Sequence, residues 1–277
     1  MGRLSPALVA RLRKPEDAHK YDHGHALVMA GGPGKGGAAR LAARAALRIG
    51  AGLVSVLCPK DAMAENAAHL TAIMLRPLDR PAALSGILRD RRFNAICMGP
   101  GLGVGVETQI AVRTALRAGR GTVLDADALT SFAQAPAALF SELHGATVLT
   151  PHEGEFARLF GAAPAANDAR AIAVQEAASR AGCTILLKGP ETLIAGPGGV
   201  RHLSFRGKDA SPWLATAGSG DVLAGLITGL LARGFSPEQA AELGAELHAM
   251  AARMVGPGLI AEDLPDTIPK VLASLDV

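Results

Sequence analysis

The 277-residue chain is 49% hydrophobic and 19% charged, which excludes a mainly disordered polypeptide and leaves room for one large α/β domain or two small ones. Its net charge of +3, from 28 basic and 25 acidic residues, is too even to argue for nucleic acid or an anionic membrane as partner. Aromatic residues make up only 3%, so the core must be built from Ala, Leu, Val and Ile.

Residues up to 24 are charged and irregular; 1–18 read as a lead-in and 19–277 as a single domain. The start of the chain has no apolar h-region, and no apolar run reaches the ~18 residues a membrane helix needs, so a cytoplasmic protein is expected. Residues 26–30 form a first apolar run, followed by a glycine-rich loop over 31–37 and a helix pattern over 38–49. Further short runs lie at 53–57, 95–98, 122–125, 147–149 and 184–188, mostly separated by helical segments. Continuous apolar runs with little alternation are strands buried on both faces, and their alternation with helices predicts a mostly parallel central sheet. Residues 193–195 and 200–203, around Gly196-Pro-Gly-Gly199, predict an antiparallel hairpin. Ser236-Pro237-Glu238-Gln239 is a helix start with a cap, a first-position proline and a third-position Gln; the helix is expected to run to about residue 254. Cys58, Cys97 and Cys183 show no metal-ligand spacing and read as buried thiols in a reducing compartment.

Ligands of open α/β sheets lie beyond the carboxyl ends of the strands, so the residues after each strand carry the chemistry. Gly218, Ser219 and Gly220 lead into an apolar helix over 222–232. Glycines at a helix start leave N–H groups facing an anion, and the helix dipole reinforces them. Asp221 then lies beside the place of a phosphate. It would repel that phosphate unless it has a proton to take, which makes it a candidate base; the plain reading is a favourable first-turn acid. His152 and Glu155 lie three apart after the strand at 147–149 and share a helical face, suited to substrate and a hydrated magnesium, or to an ordinary helix start. Lys188, before Gly189, Pro190, Glu191 and Thr192, is a strand-end cation that suits a nucleotide phosphate. The loop 31–37 lacks the ending of a P-loop and the register of a Rossmann fingerprint. Gly99-Pro-Gly-Leu-Gly103 is a tight or ligand-facing turn, and Asp125 and Asp127 either assist a cation or cap the next helix.

Taken together these motifs resemble the NAD(P)H-hydrate dehydratases, carbohydrate-kinase-like members of the ribokinase superfamily. The resemblance is carried by His19-Lys20 with Gly24-His25, the loop 31–39, Ala51-Gly-Leu-Val54, Gly99 to Gly103, Leu124-Asp-Ala-Asp-Ala-Leu129, Thr150-Pro-His-Glu-Gly-Glu155, Leu187-Lys-Gly189 and Ala215 to Gly225, in family order over residues 19–270. It implies a ribokinase-like αβα sandwich. It also implies an ADP-dependent reaction that removes water from the S form of hydrated NADH or NADPH, releasing AMP and phosphate. By the same resemblance Asp221 is the catalytic base, and Gly218, Ser219 and Gly220 form the anion hole. Lys188, Gly189, Pro190, Glu191 and Thr192, with Gly220, surround the AMP portion. Ala38, Gly103, His152 and Asp221 contact the hydrated nicotinamide nucleotide, and Glu155 lies near Mg2+. A homo-oligomer, tetrameric in relatives, is expected, and no fused epimerase domain. The alternatives are a small-molecule kinase of the same superfamily, such as a hydroxymethylpyrimidine or hydroxyethylthiazole kinase, and a non-catalytic nucleotide-binding protein.

Overall fold

The apolar runs become the strands of one sheet in the computed structural model, which describes residues 4–277. In chain order they are β1 (His25–Met29), β2 (Leu53–Cys58), β3 (Met74–Pro77), β4 (Phe93–Met98), β5 (Gly121–Leu124), β6 (Thr147–Leu149), β7 (Thr184–Leu187), β8 (Glu191–Gly196) and β9 (Gly199–Ser204). Their spatial order is β3-β2-β1-β4-β5-β6-β7-β8-β9. The first seven pair in parallel, whereas β8 and β9 form the antiparallel hairpin. The chain starts in the middle, steps outward to β3, then returns to the other side of β1. The order therefore reverses between β1 and β4, which opens a crevice beyond their carboxyl ends.

Side chains from the strands feed two apolar layers. Val28, Val56, Cys97 and Val123 pack under the helices Gly37–Arg48, Ser219–Ala232, Pro237–Val255 and Asp263–Ala273. Leu27, Met29, Ile96 and Leu124 point the other way, toward Val106–Leu116, Glu153–Phe160 and Asn167–Ala181. Burial on both faces is why the strands lack alternation. The helices Gly37–Arg48 and Ser219–Ala232 meet backbone to backbone: a Cβ on Gly225 would lie 2.1 Å from the carbonyl oxygen of Ala42. Each interior helical glycine costs about 1 kcal/mol of propensity relative to alanine, which the close packing offsets.

The helix cap read at Ser236 is present. Ser236 Oγ accepts from Gln239 N at 3.3 Å, and Gln239 Oε1 accepts from Ser236 N at 3.2 Å. Two features escape the sequence pattern. β3 is an edge strand of exposed or half-exposed residues ending in Pro77, so it has no apolar run to announce it. The lead-in contributes Leu8 and Leu12 to the core. All three cysteines are buried and unpaired, and burial pushes the Cys97 and Cys183 thiols up to about 12. Among the described residues no helix is long and apolar enough to cross a membrane.

Candidate active site

Neighbouring strand ends deliver a buried charged cluster. Asp125 follows β5 and is 1% exposed; Lys188 follows β7; Glu155 lies in the first turn of the helix after β6. Lys188 Nζ donates to Asp125 Oδ1 at 2.7 Å and lies 4.0 Å from Glu155 Oε2. The main chain sets this geometry, because Lys188 N donates to the Pro151 carbonyl at 2.8 Å and Asp125 N to that of Met98 at 3.1 Å. Buried carboxylates of this kind persist only when paired.

The glycine loop packs directly against the cluster. A Cβ on Gly220 would stand 3.5 Å from Lys188 Nζ and 3.7 Å from Asp125 Oδ2. Gly218 caps the Ser219–Ala232 helix at φ 88°, a left-handed conformation that favours glycine. Ser219 Oγ donates back to the Leu214 carbonyl at 2.7 Å, so the hydroxyl is engaged and the loop offers its backbone to a ligand. Asp221 sits in the first turn. Burial, then the nearby Asp125 carboxylate, raises its pKa to about 6, with Lys188 opposing the rise. A carboxyl tuned close to neutrality is suited to accept a proton.

A cavity of about 550 Å³ opens beside this loop, within the usual range for small-molecule sites. Lys188, Gly189, Pro190, Thr192, Ser219 and Gly220 line it. Glu191 does not. Its carboxylate is held within the β8–β9 hairpin by Ser204 Oγ at 2.9 Å, Arg206 Nε at 2.5 Å and His202 Nε2 at 2.5 Å. The wall also takes in residues the motif reading did not single out, among them Phe205, Leu214 and His248. His248 lies on a buried face of the Pro237–Val255 helix between Ala245 and Ala249, where a lone histidine in sequence reads as core. Burial lowers its pKa to about 4, which keeps the ring neutral.

Ala38 and Gly103 lie on the segments beyond β1 and β4, which approach each other at Gly101, where a Cβ would stand 3.8 Å from Ala38 Cβ. Ala38 is the second residue of the Gly37–Arg48 helix, and Gly103 N donates to Asp127 Oδ2 at 2.8 Å. Neither Asp125 nor Asp127 caps the short helix Asp127–Thr130. The first pairs with Lys188 and the second orders the Gly103 loop, so the capping expectation is corrected. Ala126 between them adopts φ 45°, a conformation costly for a non-glycine residue.

His152 is at the rim, with its side chain 55% exposed. It caps the Glu153–Phe160 helix, Nδ1 accepting from Gly154 N at 2.9 Å, while Glu155 Oε2 accepts from His152 N at 2.9 Å. Glu155 thus spends one carboxylate oxygen on the helix start. Among the described residues no three His, Cys, Asp or Glu side chains converge as a metal cage. Asp125 and Glu155 instead flank Lys188, a donor set that fits Mg2+ keeping most of its waters and taking phosphate oxygens. The site therefore brings together Asp221, Gly218, Ser219, Gly220, Lys188 and Glu155, places Ala38 and Gly103 at the neighbouring crevice, and leaves the Glu191 side chain apart.

Comparison with known proteins points one way. The family model described as NAD(P)H-hydrate dehydratase matches residues 26–271. The bifunctional NAD(P)H-hydrate repair enzyme of Moorella thermoacetica is 40% identical over 95% of this chain and 52% of its own length. That of Salinibacter ruber is 40% identical over 93% of this chain and 49% of its own. The chain thus spans about half the length of the curated relatives it matches. Among solved structures, the ADP/ATP-dependent NAD(P)H-hydrate dehydratase of Bacillus subtilis, co-crystallised with ATP and Mg2+, superposes with a TM-score of 0.81 at 29% identity, covering 98% of this chain and 97% of that one.

Proposed function

Because this chain belongs to the NAD(P)H-hydrate dehydratase family, we propose that it uses ADP to convert the S form of hydrated NADH or NADPH back to the reduced cofactor, releasing AMP and phosphate. The observation that carries the proposal is Asp221, its pKa raised to about 6, in the first turn of the helix led by the Gly218–Gly220 loop. The small-molecule-kinase alternative is not favoured, since the relatives at 40% identity are hydrate repair enzymes.

The chemistry follows from the leaving group. Hydroxide departs poorly from the hydrated ring, whereas phosphate departs well. In the proposed first step Asp221 takes the proton of the ring hydroxyl as its oxygen bonds to the β-phosphorus of ADP, and the bond to the AMP oxygen breaks. The backbone N–H groups of Gly218, Ser219 and Gly220 hold the phosphoryl oxygens as charge builds on them. Lys188 offsets negative charge at the AMP side, with Gly189, Pro190 and Thr192 shaping that wall; Glu191 supports it from within the hairpin. Ala38, Gly103 and His152 position the nicotinamide nucleotide. The ring nitrogen lone pair then expels phosphate, and loss of a neighbouring ring proton restores the dihydropyridine. Mg2+, near Glu155 and Asp125, supplies charge neutralisation at the phosphates.

ADP is proposed as the preferred donor. The Bacillus subtilis relative is named for both ADP and ATP. A cytoplasmic homo-oligomer, tetrameric as the resemblance implies, completes the proposal. The test is incubation with hydrated NADH, ADP and Mg2+, following reduced-nicotinamide absorbance. Its return supports the reaction and its absence overturns it; a clearly higher kcat/KM with ATP overturns the donor preference.

A further inference from the structure

A second cavity, about 410 Å³ in volume, lies beyond the carboxyl ends of β1, β2 and β3. Its wall includes Gly31 and Gly32 after β1 and Leu102, the residue before Gly103. It thus borders the same β1 and β4 loops as the crevice that holds Ala38 and Gly103, on the side away from the glycine loop and Lys188. With the nicotinamide end of a dinucleotide at that crevice and ADP in the 550 Å³ cavity, the adenosine end of the substrate has this space to enter.

The charged residues of the wall are Asp79, Arg80 and Glu107. Asp79 is occupied, paired with Lys60 Nζ at 2.8 Å. Glu107 is an exposed first-turn acid of the Val106–Leu116 helix, a favourable place for a carboxylate without any ligand. Arg80 follows β3, is exposed, and has no ion-pair partner among the described residues. A guanidinium is the side chain best shaped to take a phosphate monoester by paired hydrogen bonds. NADPH differs from NADH by one such group, on the adenosine ribose. Building on the dehydratase reading, we infer that Arg80 pairs with the 2′-phosphate of hydrated NADPH in this cavity and so sets preference for the phosphorylated substrate.

The experiment compares wild type, Arg80→Gln and Arg80→Lys. In Arg80→Gln the kcat/KM ratio of hydrated NADPH to hydrated NADH is expected to fall about tenfold, the scale of one charge-assisted phosphate contact. The constants for hydrated NADH and the KM for ADP should stay unchanged, and Arg80→Lys should recover part of the ratio. Equal losses on both substrates, or no change, overturn the assignment. Calorimetric titration of NADPH and NADH into AMP-saturated protein gives an independent readout. Tighter NADPH binding that disappears in Arg80→Gln supports the inference, and equal binding by wild type overturns it. If wild type restores neither hydrate, the dehydratase reading fails, and the titration still decides the role of Arg80.

Discussion

Two helices begin with glycine at the carboxyl edge of the sheet, lie against each other, and differ in what the glycine has to do. The helix Gly37–Arg48 starts after Gly36, whose φ of −82° any residue can adopt, and its first turn carries no acid. The helix Ser219–Ala232 starts after Gly218 at φ 88° and carries Asp221. Both offer unpaired N–H groups and a positive dipole end to the ligand space. Only the second sets a half-buried carboxyl beside that positive end, against Asp125 and Lys188. The same backbone device thus serves as a neutral floor in one place and in the other carries the carboxyl proposed to take the proton, and a single side chain makes the difference.

Removing that side chain should have the largest effect. Asp221→Asn is expected to lower kcat by about 10²–10⁴-fold, the usual worth of a general base, with ADP affinity by calorimetry unchanged or slightly improved. More than about a tenth of wild-type kcat in the variant, short of that range, would show that Asp221 is not the base. In wild type kcat/KM should rise with pH through about 6 as Asp221 ionises. Stability should respond in the opposite sense. A carboxyl raised from 3.8 to about 6 binds its proton more tightly in the folded state, so its contribution is present below its unfolded pKa and lost as pH rises through 6. Above pH 6 Asp221→Asn should therefore be more stable than wild type by up to about 3 kcal/mol, a gap that closes below about pH 4; denaturant melts at the two pH values measure it.

The glycines themselves give the next largest contrast. Gly218→Ala forces a left-handed alanine and a Cβ 2.8 Å from both Ala261 Cβ and Leu41 Cδ1. A loss of about 1–3 kcal/mol is expected, with turnover falling as the loop distorts. Gly37→Ala should do the reverse. Its nearest neighbour would be Arg40 Nη2 at 4.0 Å, and removing backbone freedom there should stabilise the fold by about 0.5 kcal/mol. Equal destabilisation in both variants would erase the distinction drawn between the two helix starts. Between these in size, His152→Ala is expected to raise KM for the hydrated nucleotide about fivefold, the worth of one lost hydrogen bond. AMP binding should be nearly intact. Lost AMP binding with an unchanged substrate KM would place His152 in the other site.

What could be read from the sequence follows the range of the interactions. The parallel strands, the Ser236 cap, and Asp221 behind its glycines are local patterns in which neighbours along the chain are neighbours in space. β3 was hidden because an exposed edge strand needs no apolar run. Asp125 and Lys188 are 63 residues apart, so their ion pair, and with it the mutual placement of two candidate groups, exists only in the folded sheet. His248 joins the cavity wall from a buried helix face and carries no pattern of its own. Glu191 shows the limit of a contiguous motif: in a strand, successive side chains point to opposite faces, so Thr192 lines the cavity while its neighbour is tied into the hairpin.

The contact of Gly225 with the Ala42 carbonyl bears on how the molecule can move. Where side chains separate two helices, rotamer changes can widen or narrow the gap. Here main chain rests on main chain, and the glycine loop and Ala38 begin these same two helices. The spacing between the glycine loop and Ala38 is thereby fixed like a ruler, set by atoms that have no other conformer to adopt. Accommodation of ligands of different length then falls to segments outside that pair, foremost the stretch from Phe205 to Ala215 that lines the cavity beside the glycine loop.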